Sequence, residues 1–468
     1  MPTVQPFGIY PFRVVRGPEM LSRGGVRSIE GISLPTCISL VTATMVGTGV
    51  YTTLGFQLQD LHSGFSILFL WLLGGLISLC GALSYAEIAS RIPGSGGEYT
   101  YLSQIYHPSL GFMAAFVSVM AGFSAPISLA AIAFGTYLHA VVPGCPVKIS
   151  AFAVVLIISG AHLRSIKASS LFQNCATMAK FFLVGMFILI GAWSALKHQV
   201  CLELFTPGKE SFDELVKPSS GIALLFVLYA YSGWNASTYL AGEVRKAQKT
   251  VGLSLVIGTL AVTVFYVALN AIFLTAAPAN ELRGVLNVGS VAANHLIGIQ
   301  GGRIMSGIIA LGLLASISAM FWAGPRVIQR VGEDYPVFAP LALRTTHGIP
   351  RRAILLQLLL ILVLLIFGTF EAVLVFAEIP LLICLILGAV GLLVIRQTKS
   401  DSYGVIQGIA RFRCPLYPLP PLFFILCSAA GLVYSFFCKP WIALAGLGMM
   451  LVPLALHGWI MGGNREHS

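Results

Sequence analysis

The chain has 468 residues, of which 57% are hydrophobic and only 10% charged, and its mean hydropathy is +0.88. Soluble domains carry about 25% charged residues, so a water-exposed surface for a chain of this length cannot be built from so few. Several apolar stretches reach the ~20 residues that a helix needs to cross a bilayer, which disfavours a barrel of short alternating strands. The composition predicts an all-α polytopic membrane protein.

The charged residues and motifs exclude further classes of protein. The net charge is +11, but the 28 Lys and Arg residues are scattered between apolar stretches, so we expect no nucleic-acid partner. The nine cysteines are dispersed without a C-x-x-C pair, and Walker A, H-E-x-x-H and G-x-S-x-G motifs are absent from the sequence. We therefore expect no metal, no cofactor and no enzyme activity. Any energy that the protein uses should come from concentration gradients across the membrane.

Hydropathy predicts twelve membrane-spanning helices joined by short loops. They cover residues 33–59, 65–90, 109–141, 148–163, 170–195, 219–242, 250–276, 303–325, 352–368, 371–396, 419–437 and 441–461. With the N-terminus inside, 20 of the 28 basic residues lie on the cytoplasmic side and 7 outside, and only Lys180 lies within a span. This bias predicts cytoplasmic tails at 1–32 and 462–468 and a location in the cell (inner) membrane.

The first span carries two glycines near its midpoint, in Met45-Val46-Gly47-Thr48-Gly49-Val50-Tyr51. Each glycine lowers helix propensity by about 1 kcal/mol, and a broken backbone is tolerated in lipid only where it lines a cavity or is buried in protein. A packing face of small residues is the alternative, but the G-x-G spacing does not place both glycines on one ridge. The segment predicts an interrupted helix.

The sixth span carries a comparable segment, Tyr229-Ala230-Tyr231-Ser232-Gly233-Trp234-Asn235, near its centre. Taken alone, it could be an aromatic core cluster with an incidental glycine. The two segments correspond when spans 1–5 are laid against spans 6–10, and matched interruptions indicate the binding site of a secondary transporter with inverted repeats. The predicted repeats are residues 33–195 and 219–396, with 419–461 as two additional helices.

The broken helices supply electrical poles for a ligand, because each half-helix end carries about half a charge. The amides of Thr48, Gly49 and Val50 should receive an anion. A cation should be received by the carbonyls of Met45, Val46, Tyr229, Ala230 and Ser232. A molecule that carries an ammonium and a carboxylate on one carbon, an α-amino acid, matches both poles.

These segments resemble the amino acid/polyamine/organocation superfamily, close to the L-type transporters, which are light chains of heteromeric transporters. The likeness covers about residues 30–460. It rests on Gly47-Thr48-Gly49-Val50-Tyr51, Tyr231-Ser232-Gly233-Trp234-Asn235, Ile92-Pro93-Gly94-Ser95-Gly96-Gly97-Glu98-Tyr99 and Ala323-Gly324-Pro325-Arg326. The loop at 242–250 departs from the family pattern, because it lacks the expected proline.

The resemblance implies a LeuT-like fold of twelve helices, with a 5+5 inverted repeat and helices 1 and 6 unwound. It implies that Thr48 and Gly49 bind the substrate carboxylate, and that Tyr229 closes over the substrate from outside. The implied substrate-binding residues are Met45, Val46, Gly47, Thr48, Gly49, Tyr229, Ala230, Ser232 and Trp234.

Lys180 lies about 15 Å into the fifth span, where a lone ammonium needs partners. In the resembling permeases, a lysine in this span occupies the place at which sodium-coupled relatives bind a cation. The implied partners are the carbonyls near Val46 and Gly47 and the hydroxyl of Ser316 or Ser318. We hypothesise that Lys180 replaces sodium and couples its charge state to transport; a structural amine satisfied by carbonyls is the alternative.

Glu378 in span 10 is a possible acidic site for a cationic substrate or a proton, or else a protonated carboxyl packed between helices. Glu87 is predicted to be interfacial. The histidines, including His162 and His295, are predicted to lie near span ends or in loops, in solvated positions.

The sequence thus predicts a sodium-independent transporter of neutral L-amino acids, working by alternating access with proton coupling or exchange. The alternatives are a cationic amino acid or polyamine exchanger and a non-transporting amino-acid-binding receptor. Cys145, in an outer loop, is reminiscent of the cysteine by which light chains bond a heavy chain. An isolated loop cysteine is the favoured interpretation, so we expect a monomer or homodimer in the bilayer without a heavy-chain partner.

Overall fold

A computed structural model of the chain describes residues 31–92, 94–164, 166–197, 206–345, 348–367, 370–397, 412–438 and 440–463. The first half contains α1 (Leu34–Met45), α2 (Gly49–Asp60), α3 (Gly64–Arg91), α4 (Glu98–Ile105), α5 (Pro108–Val117), α6 (Ala125–Val141), α7 (Val147–His162) and α8 (Ile166–Lys197). The second half contains α9 (Lys209–Val216), α10 (Pro218–Tyr231), α11 (Ala247–Ala276), α12 (Ala279–Leu282), α13 (Val288–Asp334), α14 (Ala339–Ala342), α15 (Arg351–Phe367), α16 (Phe370–Gln397), α17 (Leu419–Cys438) and α18 (Pro440–Gly463).

Each of the twelve predicted spans coincides with helical structure. In the described part of the chain, nine helices are long and apolar enough to cross a membrane, or ten if the bent pair Lys209–Val216 and Pro218–Glu243 is one span. The helix at Val147–His162 is shorter. The chain is therefore a multi-pass, all-helical membrane protein. Among the residues described, the one β pairing is a parallel bridge between Ile32 and Val244.

Several earlier predictions fall outside the described ranges. They concern most of the N-terminal tail, the end of the C-terminal tail and Pro93 of the third motif.

Small residues let the helices approach closely. A Cβ placed on Gly75 of α3 would lie 2.3 Å from the Thr263 methyl of α11. A Cβ on Gly258 of α11 would lie 2.7 Å from Val41 of α1. Such close contacts drive helix association in membranes, where the lipid is as apolar as the side chains. They fix α1, α3 and α11 around the first interruption.

The third span changes its helical form midway. Residues Ser118–Ser124 form a π-helical segment between α5 and α6, and Pro126 follows it at the start of α6. Proline has no N–H to donate to the carbonyl four residues earlier, at Gly122. π-helical turns frequently occur at functional sites, and this one faces α13, α15 and α16.

Candidate functional site

The first interruption separates α1 from α2 at the glycines of the first span. After Met45, Val46 has φ −76° and ψ 74°, and the Gly47 N–H donates to the Met45 carbonyl at 2.7 Å, which is an inverse γ-turn. Helix α2 begins at Gly49. Within the described part of the chain, the N–H groups of Thr48, Gly49 and Val50 donate to no backbone carbonyl. The start of α2 therefore presents free amides of the kind that bind anions.

The second interruption lies directly against the first. Helix α10 ends at Tyr231, and a 3₁₀-helix follows at Ala236–Glu243. Gly233 has φ +95°, and a Cβ there would lie 2.7 Å from the Thr44 methyl, so this position requires glycine. A Cβ on Gly49 would lie 2.5 Å from the Ala230 Cα. The two broken helices thus touch, and any larger residue at Gly49 would force them apart.

The Tyr266 hydroxyl of α11 lies between a carbonyl at the first break and a carbonyl at the second. Its hydroxyl lies 2.5 Å from the Met45 oxygen and 2.9 Å from the Ala230 oxygen. A hydroxyl has one proton to donate, so it leaves one of the two carbonyls without its donation, although the Met45 oxygen also accepts from the Gly47 N–H. Sequence reasoning missed this residue, because a tyrosine within a long apolar span carries no local sign of the backbone it will contact.

The Tyr229 carbonyl of the predicted cation pole is also engaged. The Tyr229 oxygen accepts from the Ser232 N–H at 3.0 Å. The Tyr229 hydroxyl lies 3.3 Å from the Thr48 hydroxyl, so this ring bridges the two interrupted helices. The ring of Trp234 packs between Tyr85 and Phe424, with centroid distances of 5.0 and 5.9 Å. Trp234 therefore places its main chain, and not its ring, at the break.

Lys180 of α8 is 2% exposed and reaches the first interruption. Its ammonium donates to the Val46 carbonyl and, at 3.0 Å, to the Ser316 hydroxyl. The Ser316 hydroxyl in turn lies 2.8 Å from the Val46 oxygen. A Cβ on Gly312 would lie 2.8 Å from the Lys180 Cδ, so this glycine of α13 makes room for the lysine stem.

Ser318 does not share this cluster, which corrects one of the two hydroxyls proposed from sequence. Its hydroxyl lies 3.0 Å from Nε2 of His162 at the end of α7. His162 is itself buried, so the prediction of a solvated histidine was wrong. Two residues along a helix point in different directions, which separates Ser316 from Ser318.

Glu87, predicted to be interfacial, lies four residues before the end of α3 and is 0% exposed. Arg396 of α16 donates to both of its oxygens, from Nε at 2.9 Å and from Nη2 at 2.5 Å. Arg91 donates from Nη2 at 2.7 Å, and the Cys414 N–H donates at 2.8 Å. The carboxylate thus joins α3, α16 and the segment before α17. The sequence did not predict this cluster, because Arg396 lies more than 300 residues from Glu87.

Glu98, in the third motif, is a buried carboxyl that sequence reasoning did not single out. Asn235 donates to it at 2.5 Å, and the Tyr239 hydroxyl also donates to it. Tyr239 further lies 3.5 Å from the Ser118 hydroxyl of the π-helical segment. Burial raises the pKa of the Glu98 carboxyl, although the hydrogen bonds from Tyr239 and Asn235 act in the opposite direction. This cluster ties α4 to the 3₁₀ part of the sixth span.

Glu378 of α16 has a different environment from the other buried carboxyls. It is 2% exposed, its Oε2 atom has no hydrogen-bond partner among the described residues, and it lies within electrostatic range of Tyr229. Its carboxyl therefore lies near the interrupted helices without a bond from the protein to that oxygen.

The model of the family described as Amino acid permease matches residues 32–456. The chain belongs to this amino acid permease family.

Curated relatives of this permease are transporters and not enzymes. It is 27% identical over 412 residues to the serine/threonine exchanger SteT of Bacillus subtilis, covering 85% of this chain and 90% of that protein. It is 25% identical to the large neutral amino acids transporter small subunit 2 of Oryctolagus cuniculus, covering 94% and 82%. It is also 25% identical to the human cystine/glutamate transporter, covering 85% and 78%.

Proposed function

We propose that this permease is a secondary active transporter that carries neutral L-amino acids across the cell membrane by alternating access. The observation that carries the proposal is the set of free amides at Thr48, Gly49 and Val50, which lie beside the carbonyls of Met45 and Ala230. These groups offer an anion site and a cation site on touching helices. An α-amino acid supplies both charges at the spacing of one carbon atom.

In this proposal, the α-carboxylate binds at Thr48 and Gly49, and the α-ammonium binds at the carbonyl of Met45 or Ala230 that Tyr266 leaves free. The Tyr229 ring, bonded to Thr48, lies across the predicted outer side and would move for substrate to enter. Helices α1–α8 and α10–α16 would form the two inverted repeats, with α17 and α18 added to them.

Sodium independence is proposed from the position of Lys180. Its ammonium already donates to the Val46 carbonyl and Ser316, which are oxygen ligands of the type a sodium ion would use. A cation fixed to the protein removes the need for a dissolved one. The energy would then come from proton movement or from exchange for a second amino acid.

The test is a counterflow panel of the twenty amino acids in proteoliposomes that contain the purified permease. We expect uptake of several neutral L-amino acids, equal in sodium and in choline buffer, and a pH dependence that separates proton symport from exchange. Uptake that requires sodium would overturn the role of Lys180. Binding of amino acids without any uptake would instead indicate a receptor.

A further inference from the structure

One carboxyl oxygen of Glu378, which has no partner among the described residues, is the feature that the proposed function leaves unexplained. A buried ionised carboxylate is unfavourable unless a cation or hydrogen-bond donors compensate it. Glu87 has donors from three separate segments, whereas the Oε2 atom of Glu378 has no hydrogen-bond partner in the described structure. No ion pair of the described residues involves Glu378. A proton or a ligand would supply the partner that the Oε2 atom lacks among the described residues.

The position of Glu378 along its helix places it at the depth of the helix breaks. It lies eight residues after the start of α16 at Phe370, which is about 12 Å at 1.5 Å per residue. Tyr229 lies eleven residues after the start of α10 at Pro218, or about 16 Å. The two side chains lie within electrostatic range of each other, and Tyr229 is bonded to Thr48 of the anion site.

The face of α16 that carries Glu378 is turned towards the π-helical segment. Leu381, one turn further on, lies on the same face and packs at Gly122, where a Cβ would lie 3.6 Å from its methyl group. A Cβ on Gly122 would meet only ordinary contacts, at 3.6 Å and 3.9 Å. The small residue Gly122 thus lies against α16 one turn beyond Glu378, where Leu381 contacts it.

We propose that Glu378 binds the ammonium or guanidinium group at the end of a substrate side chain, so that this permease also accepts cationic α-amino acids. The inference rests on the proposed function, which places the α-carboxylate at Thr48, and adds that the substrate side chain extends towards α16. A diamine without a carboxylate would leave the amides of α2 unpaired, so the ligand class is the amino acid and not the polyamine. A neutral side chain would require the Glu378 carboxyl to carry a proton.

The test compares cationic amino acids with neutral molecules of the same shape. Arginine is paired with citrulline and lysine with norleucine, as inhibitors of the uptake of one labelled neutral amino acid in proteoliposomes. We expect arginine to inhibit at least about tenfold more strongly than citrulline, the range of one charge-assisted hydrogen bond. In Glu378→Gln, we expect this ratio to fall to about one, because an amide compensates no positive charge.

The matched control is Glu281→Gln, which removes a carboxylate from an exposed position paired with His295. It lowers the overall negative charge equally and should leave the ratio as in the original protein. A ratio that falls equally in both variants would show a general electrostatic effect and overturn the assignment. A ratio that is unchanged in Glu378→Gln would overturn it too.

A second measurement covers the case in which Glu378→Gln does not fold. The unaltered permease in detergent should be stabilised against heat more by arginine than by citrulline, and Glu378→Asp should keep that order. Stronger stabilisation by citrulline would overturn the inference. If neutral and cationic amino acids are both without effect on uptake and stability, the proposed function itself fails. That result differs from failure of the Glu378 assignment alone, in which neutral amino acids still act.

Discussion

Lys180 and Glu378 are both 2% exposed and carry opposite charges at membrane depth, yet their surroundings differ. The Lys180 ammonium has two acceptors supplied by the protein, and Gly312 leaves room for its stem. The Glu378 carboxyl has an oxygen without any such partner. A satisfied buried charge holds the protein in one arrangement, whereas an unsatisfied one is completed by something that binds. The comparison separates Lys180, which we propose organises the site, from Glu378, which we propose binds the substrate side chain.

The largest effect is expected from removing the satisfied charge. Lys180→Met should lower uptake by at least about 100-fold, since breaking a buried polar cluster by removing one partner costs about 3 kcal/mol or more. The Val46 carbonyl would lose its cation at the helix break. Uptake per transporter in proteoliposomes measures this. Lys217→Met, at an exposed position before α10, is the control, and an equal loss there would remove the distinction.

The second prediction tests another buried charge whose partners the protein supplies, the carboxylate of Glu87. Glu87→Gln leaves the guanidinium groups of Arg396 and Arg91 without their shared anion, so we expect a loss of about 3 kcal/mol in unfolding free energy. Glu243, whose contact with Arg326 is partly exposed, provides the control, and Glu243→Gln should cost less than about 1 kcal/mol. Thermal unfolding in detergent measures both. Equal midpoints would mean that the buried network adds no stability.

The third prediction examines the Tyr266 hydroxyl between the two breaks. Tyr266→Phe should raise the KM for neutral amino acids about tenfold, equivalent to about 1.4 kcal/mol, because the carbonyls of Met45 and Ala230 lose their shared donor. The Tyr51 hydroxyl is buried without a hydrogen-bond partner among the described residues, so Tyr51→Phe is a matched control with no expected change. A larger rise in KM for Tyr51→Phe than for Tyr266→Phe would contradict the role given to Tyr266.

The smallest effect concerns Glu98. Because burial raises its pKa in the folded protein, the folded state holds a proton that the unfolded state releases above the ordinary glutamate value of about 4.3. Stability from this group is therefore present at low pH and declines as the pH rises from about 4.3 through the raised pKa. Glu98→Gln should flatten that part of the profile of unfolding midpoint against pH. A profile with the same slope in both proteins would contradict the prediction.

Local sequence features were sufficient to predict the helix breaks, because a break depends on the residues at its own position. The glycines around Gly47 and Gly233 weaken the helix at their own positions, and the chain leaves its helical path there, with α2 beginning at Gly49 and α10 ending at Tyr231. The depth of Lys180 in an apolar stretch required partners for its charge. The functional roles given to these residues remain predictions that the experiments above address.

Tertiary structure alone decided which distant groups meet. Tyr266 reaches Met45 across 221 positions, Asn235 reaches Glu98 across 137, and Arg396 reaches Glu87 across 309. Nothing in the local pattern selects these pairs, because hydropathy gives the depth of a residue but not the direction it faces around its helix. The sequence therefore determined where helices span and break, while helix packing determined that, among the described residues, both Glu87 oxygens are paired and the Glu378 Oε2 atom is not.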